Sequence, residues 1–146
     1  MRTEVAFWDT SAIVPLCVLQ DSTQAARQAN ISFPIRMIWW GTVVEMRSSF
    51  ARLKKVGELD DSAFDIAARK WLGIANRSRV VPPVSALLDI ASELPEEYGI
   101  RALDAFQLAA ALIWCNKRPR NRPFVCADKR LSVAAKDAGF EVIEVG

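Results

Sequence analysis

Two stretches, Val5-Ala6-Phe7-Trp8 and Phe124-Val125-Cys126-Ala127, are apolar without interruption. Strands buried on both faces have this pattern, and parallel sheets bury both faces. Pro34 to Trp39 predicts a second strand, broken by Gly41-Thr42. Val80-Val81-Pro82 predicts a short third strand and Glu141 to Val145 a last one. The spacing changes between them. Val43, Met46, Phe50, Leu53 and Val56 recur every three or four residues, which predicts an amphipathic helix over 43–56 that Gly57 can close. Other helices are expected after Asp9-Thr10-Ser11 (limited by Pro15), from Asp21-Ser22-Thr23 to near Asn30, and from Asp60-Asp61-Ser62 to about Asn76. Three more are expected over 84–94, terminated by Pro95 with Gly99, over 102–114, and over 128–138, closed by Gly139. Alternating strands and helices predict one domain, 1–146, folded as a three-layer α/β/α sandwich around a central, mostly parallel sheet.

Composition narrows the chemistry. A chain of 146 residues that is 51% hydrophobic can bury a substantial core and is not a disordered segment. A net charge of +2 says little about partners, so local charge placement has to carry that argument. There is no histidine, which removes Ser-His-Asp and Cys-His mechanisms and His-ligated zinc. Cys17, Cys115 and Cys126 are odd in number, lie in apolar runs and form no CxxC pair. A disulfide framework is therefore not expected, and a reducing cytoplasm is the expected compartment. The longest apolar stretch, Ala105 to Cys115, falls short of the roughly 20 residues that span a bilayer. Glu4 and Asp9 precede the apolar run Ala12 to Leu19 where a signal peptide would be basic, so that run reads as folded protein.

What then stands out is a set of carboxylates. Asp9, Glu45, Asp104 and Asp128 each sit where a strand ends or a helix begins. Ordinary explanations exist for three of them. Asp9 suits an Asx turn or cap, Asp128 an N-cap, and Glu45, three residues after Thr42, completes a capping box. Asp104 is harder to explain, because it opens an Ala-rich helix with no other charge. Burying a carboxylate without compensation costs several kcal/mol, against roughly 0.3–1 kcal/mol gained from a helix dipole. In a parallel α/β sheet such junctions face one edge, where ligands bind. Carboxylates gathered there repel one another unless a cation neutralises them.

Four segments carry a family resemblance: Phe7-Trp8-Asp9-Thr10-Ser11-Ala12-Ile13-Val14, Val44-Glu45-Met46-Arg47-Ser48-Ser49-Phe50-Ala51-Arg52, Arg101-Ala102-Leu103-Asp104-Ala105-Phe106-Gln107-Leu108-Ala109-Ala110-Ala111, and Phe124-Val125-Cys126-Ala127-Asp128-Lys129-Arg130-Leu131. In this order and spacing the chain resembles the PIN-domain ribonucleases, in particular VapC-type toxins of toxin–antitoxin pairs. The resemblance implies an α/β/α fold and a metal-binding acidic quartet of Asp9, Glu45, Asp104 and Asp128, with Ser11 as a supporting hydroxyl. It also implies a homodimer and a cognate antitoxin that blocks the site.

Hard carboxylate oxygens suit Mg²⁺ or Mn²⁺. Asp9 and Asp104 are the expected direct ligands, with Glu45 and Asp128 acting through water or on a second ion. The acids point to hydrolysis of a phosphodiester, and the resemblance implies that the activity is metal-dependent endoribonuclease cleavage of RNA. An acidic site repels RNA, so basic residues must hold the backbone. Arg47, with Arg52, Lys54 and Lys55 on the same helix, and Lys117, Arg118, Arg120 and Arg122 in one loop, are the candidates. Of Trp39-Trp40, one side chain is expected in the core and the other on a surface facing a dimer mate or antitoxin, because adjacent strand residues point to opposite faces. The alternative is a catalytically silent module of the same fold that binds RNA or protein.

Overall fold

A computed structural model describes residues 4–146. The chain begins with β1 (Val5–Trp8), α1 (Thr10–Cys17), α2 (Thr23–Ser32) and β2 (Ile35–Trp39). It continues with α3 (Thr42–Lys55), α4 (Asp61–Asn76), β3 (Arg79–Val81) and α5 (Ser85–Tyr98). The last elements are α6 (Ala102–Trp114), β4 (Pro123–Cys126), α7 (Lys129–Ala138) and β5 (Glu141–Glu144).

The strands form one five-stranded sheet in the order β3-β2-β1-β4-β5, and every pairing is parallel. The expectation of a mostly parallel sheet is met in full. The two unbroken apolar runs are its centre: Phe7 lies beside Phe124 and Trp8 beside Val125. Phe7, Trp8, Phe124 and Val125 are completely buried, as strands covered on both faces require. Alternating side chains feed two cores. On one face Phe7, Phe124 and Cys126 pack with α5, α6 and α7; on the other Ala6, Trp8 and Val125 pack with α1, α2, α3 and α4. This is the three-layer arrangement.

The chain builds β2 and β3 to one side of β1, then crosses to build β4 and β5 on the other. The boundary between β1 and β4 is therefore a topological switch point, where the connections diverge and leave a crevice at the carboxyl ends of the strands.

Two local expectations are corrected. Pro95 does not end its helix: α5 runs through it to Tyr98. The true stop is Gly99, whose left-handed φ of 66° favours glycine and whose N–H bonds the Pro95 carbonyl at 2.9 Å. The capping box at Thr42 and Glu45 does not form. Gly41 is the N-cap of α3, with no side-chain cap bond, and Thr42 is the first helical residue. Glycine is required at position 41 for closeness of packing: a Cβ there would lie 2.5 Å from the Trp39 indole nitrogen. Trp39 is 7% exposed and Trp40 59%, so the pair divides between core and surface as expected. All three cysteines are buried and free. Among the described residues no helix is long and apolar enough to cross a membrane.

Candidate functional site

Asp9 leaves the end of β1 as the N-cap of α1, and Asp128 leaves the end of β4 as the N-cap of α7. Glu45 stands in the first turn of α3, which follows β2, and Asp104 in the first turn of α6. The starts of α1, α3 and α7 follow parallel strands and so share one edge of the sheet, while α6 follows α5 and brings its first turn to the same place. All four acids, together with Thr10 and Ser11, line a single cavity of about 700 Å³.

Ser11 ties the floor of this cavity together. Its hydroxyl donates to Asp9 Oδ2 at 2.5 Å and accepts the Ala127 N–H at 2.9 Å. Its backbone N–H also donates to Asp9 Oδ2, at 3.1 Å. One serine therefore links the ends of β1 and β4 across the switch point. Cys126 lies underneath, its Sγ 3.9 Å from Asp9 Oδ2 and 3.3 Å from the Asp128 carbonyl oxygen. Burial, and then the Asp9 charge, push its thiol up to about 12, so it is a packing group here and not a nucleophile.

The acids feel one another. Burial raises the Asp9 carboxyl from 3.8 to about 6 against the Ser11 bonds, and the charges of Asp104 and Asp128 push the same way. Glu45 rises from 4.5 to about 7, chiefly through burial and then the Asp9 charge, while bonds from Gln107 and Thr10 oppose the rise. Asp104 is also raised, by burial and then by Asp128, with Arg101 and Arg130 pulling it back. Mutual repulsion among carboxylates at one edge is what a divalent cation relieves. The donor set is oxygen only, which suits Mg²⁺ or Mn²⁺ and not a thiol- or imidazole-seeking metal. Among the described residues no three acidic, cysteine or histidine side chains form a ligand cluster as they stand. The acids share a cavity without closing on one point.

The other expected residues divide. Arg52 is the basic side chain on the cavity wall. Arg47 turns away, its guanidinium 5.3 Å from the centre of the Phe64 ring on α4. Lys117, Arg118 and Arg120 occupy the loop before β4, so they stand at the amino-terminal edge of the sheet, opposite the acids, and do not line the cavity. The exposed side chains Trp40, Val44 and Leu103 give the cavity an apolar lip.

Gln107 was not among the expected site residues. It is wholly buried, and its amide nitrogen reaches Thr10 Oγ1 at 3.0 Å, Glu45 Oε2 at 3.1 Å and Thr42 Oγ1 at 3.3 Å. The signal lay in the sequence: it is the sole polar residue in Ala105–Leu112, one helical turn after Asp104.

No protein-family profile matches the chain, and no curated protein matches it. Among solved structures it is similar to a toxin–antitoxin complex from Klebsiella pneumoniae, with 18% identity, a TM-score of 0.61, and 84% of this chain and 86% of that chain covered. It is similar to PAE2754 from Pyrobaculum aerophilum, with 20% identity, a TM-score of 0.61, and 98% and 93% covered. It is also similar to FitAcB from Neisseria gonorrhoeae, with 16% identity, a TM-score of 0.64, and 97% and 98% covered. Identities of this size carry the fold and leave the chemistry to the site. At the level of fold, the likeness read from the four sequence segments is borne out: this chain has a PIN-like α/β/α fold.

Proposed function

We propose that the protein is a divalent-metal-dependent endoribonuclease and the toxin of a toxin–antitoxin pair. The observation that carries the reading is the meeting of Asp9, Glu45, Asp104 and Asp128 in one cavity at the switch point. Asp9 and Asp104 would hold Mg²⁺ or Mn²⁺ directly, with Glu45 and Asp128 completing the shell. When bound, the cation supplies charge stabilisation at the phosphate and acidifies water in the site. Ser11 holds the Asp9 carboxylate at the end of β1. Arg52 draws the RNA backbone to the cavity wall. Arg47, Lys117, Arg118 and Arg120 would engage only a strand that extends beyond the cavity.

The apolar lip of Trp40, Val44 and Leu103 favours an apolar segment of a protein partner at the same mouth, which fits an antitoxin that covers the site. A homodimer and a cytoplasmic location belong to the same reading. That lip equally suits the competing reading, a silent module that only docks a partner.

An RNA pool incubated with the wild-type protein and Mn²⁺ separates the two. Hydrolysis is expected, with loss in EDTA, recovery on adding Mg²⁺ or Mn²⁺, and abolition by Asp104→Asn in a variant with an unchanged circular dichroism spectrum. Full cleavage by folded Asp104→Asn would count against the nuclease reading.

A further inference from the structure

We propose that Gln107 is the positioning residue of the acid site, fixing the charged Glu45 carboxylate in the orientation that receives a divalent cation. The inference rests on the metal-site reading above and deepens it.

The starting point is an apparent extravagance. Gln107 is 0% exposed, on a helix whose neighbouring positions Leu108 to Ala111 are also completely buried. Leucine or methionine would fill that volume without burying an amide. The amide is moreover only half used. Its oxygen, Oε1, is buried with no hydrogen-bond partner among the described residues. Its nitrogen has more acceptors than protons: two hydrogens face Thr10 Oγ1 at 3.0 Å, Glu45 Oε2 at 3.1 Å and Thr42 Oγ1 at 3.3 Å. A group placed only for packing would not be expected to leave its acceptor stranded in order to aim its donor at a carboxylate.

The aim has a direction. With the NH₂ end toward Glu45, the amide favours the ionised carboxylate, which can only accept; the reverse orientation would set two oxygens against each other. The donor is also neutral. An arginine or lysine here would hold Glu45 equally well but cancel its charge, and a cation would then find a compensated site. A buried glutamine orients the carboxylate and leaves its full charge for the cation. The three acceptors belong to different parts of the fold, Thr10 at the start of α1 and Thr42 and Glu45 in α3. Gln107 thus joins these two helices to α6, on which Asp104 stands one turn away. Partners of this kind, one bond removed from a metal ligand, govern metal affinity.

The test is Mn²⁺ binding by the metal-free protein, followed by electron paramagnetic resonance, for wild type, Gln107→Met, Glu45→Gln and the double variant. Gln107→Met is expected to weaken Mn²⁺ binding by about tenfold or more while the melting temperature holds. If it acts through Glu45, it has no further effect in the Glu45→Gln background. Wild-type uptake with unchanged affinity in Gln107→Met, or the same factor in both backgrounds, overturns the positioning role and spares the metal site. A wild-type protein that takes up no Mn²⁺ overturns the metal site and the positioning role together. Should Gln107→Met not fold, the wild type supplies a second measurement. Mg²⁺ is expected to shift the Gln107 side-chain NH₂ resonances; if they stay fixed while Asp9 and Asp104 signals move, the inference fails.

Discussion

Asp9 and Asp128 share one description in the sequence, an acid directly after a buried strand, and the fold treats them differently. Asp9 is 5% exposed, bonded to Ser11 and raised by burial to about 6. Asp128 is exposed and accepts the Leu131 N–H at 2.9 Å as a helix cap. The strands beneath them are neighbours, so the contrast arises above the sheet. Asp9 is held by Ser11 with Cys126 Sγ beside it, while Asp128 stays exposed. Asp128 can be explained by its own backbone. Asp9 cannot: its two bonds from Ser11 do not offset its burial, a shortfall that a proton relieves at low pH and that a cation, on the proposed reading, would relieve at higher pH.

The largest expected effect is therefore at Asp9. Its pKa and that of Glu45 are higher in the folded chain than their ordinary values of 3.8 and 4.5. The folded state thus holds protons that the unfolded state has released, and the metal-free protein loses stability as pH rises from about 4 to about 7. The loss is of order a few kcal/mol. Asp9→Asn removes the buried charge, so it is expected to abolish cleavage, raise the metal-free melting temperature at pH 8 and flatten the fall between pH 4 and 6. Mg²⁺ should raise the wild-type melting temperature at pH 8 and much less at pH 5, where protons compete for the same oxygens. Thermal scans of both proteins across this range check it. An Asp9→Asn variant less stable than wild type at pH 8 without metal would show that Asp9 is an ordinary cap like Asp128.

Ser11 sharpens the contrast from the other side. Ser11→Ala takes a hydrogen bond from Asp9 and leaves the Ala127 N–H without its partner. A loss of about 1–3 kcal/mol follows from stranding such groups, and Asp9 should be driven still higher. Urea denaturation at pH 7 measures the first. A loss below about 0.5 kcal/mol, typical of surface positions, would mean that Ser11 does not link the two strands.

How much of this was legible depended on whether the determining contacts were local. The runs at β1 and β4 declared themselves because burial on both faces leaves no polar alternation. Asp9 and Asp128 could be placed at one edge by the same reasoning, but that β1 and β4 are adjacent is a fact of strand order, which no local pattern carries. The loop with Lys117, Arg118 and Arg120 precedes β4, and in a parallel sheet residues before a strand lie at the edge opposite those after one. Pro95 misled because proline in a helix interior costs about 3 kcal/mol, a penalty offset here by burial of Leu94 and packing of Tyr98 in the same helix. The role of Gln107 is not local, because its partners come from residues 62 to 97 positions away.

The smallest effect concerns Asp128, and it asks whether one residue does two jobs. As a cap it needs only a side-chain oxygen facing the Leu131 N–H. Asparagine supplies that oxygen, so Asp128→Asn should change stability by no more than a few tenths of a kcal/mol, whereas Asp128→Ala should cost about 1 kcal/mol. As an acid of the cavity it needs its charge, which asparagine lacks. The two substitutions should therefore separate in a melting experiment and coincide in a cleavage assay, both reducing hydrolysis, and by less than Asp9→Asn does. The converse pattern, cleavage preserved in Asp128→Asn and reduced only in Asp128→Ala, would make this residue a cap and nothing more. The acids that matter would then be Asp9, Glu45 and Asp104, all at least partly buried, and burial would be what distinguishes a site acid from a helix start.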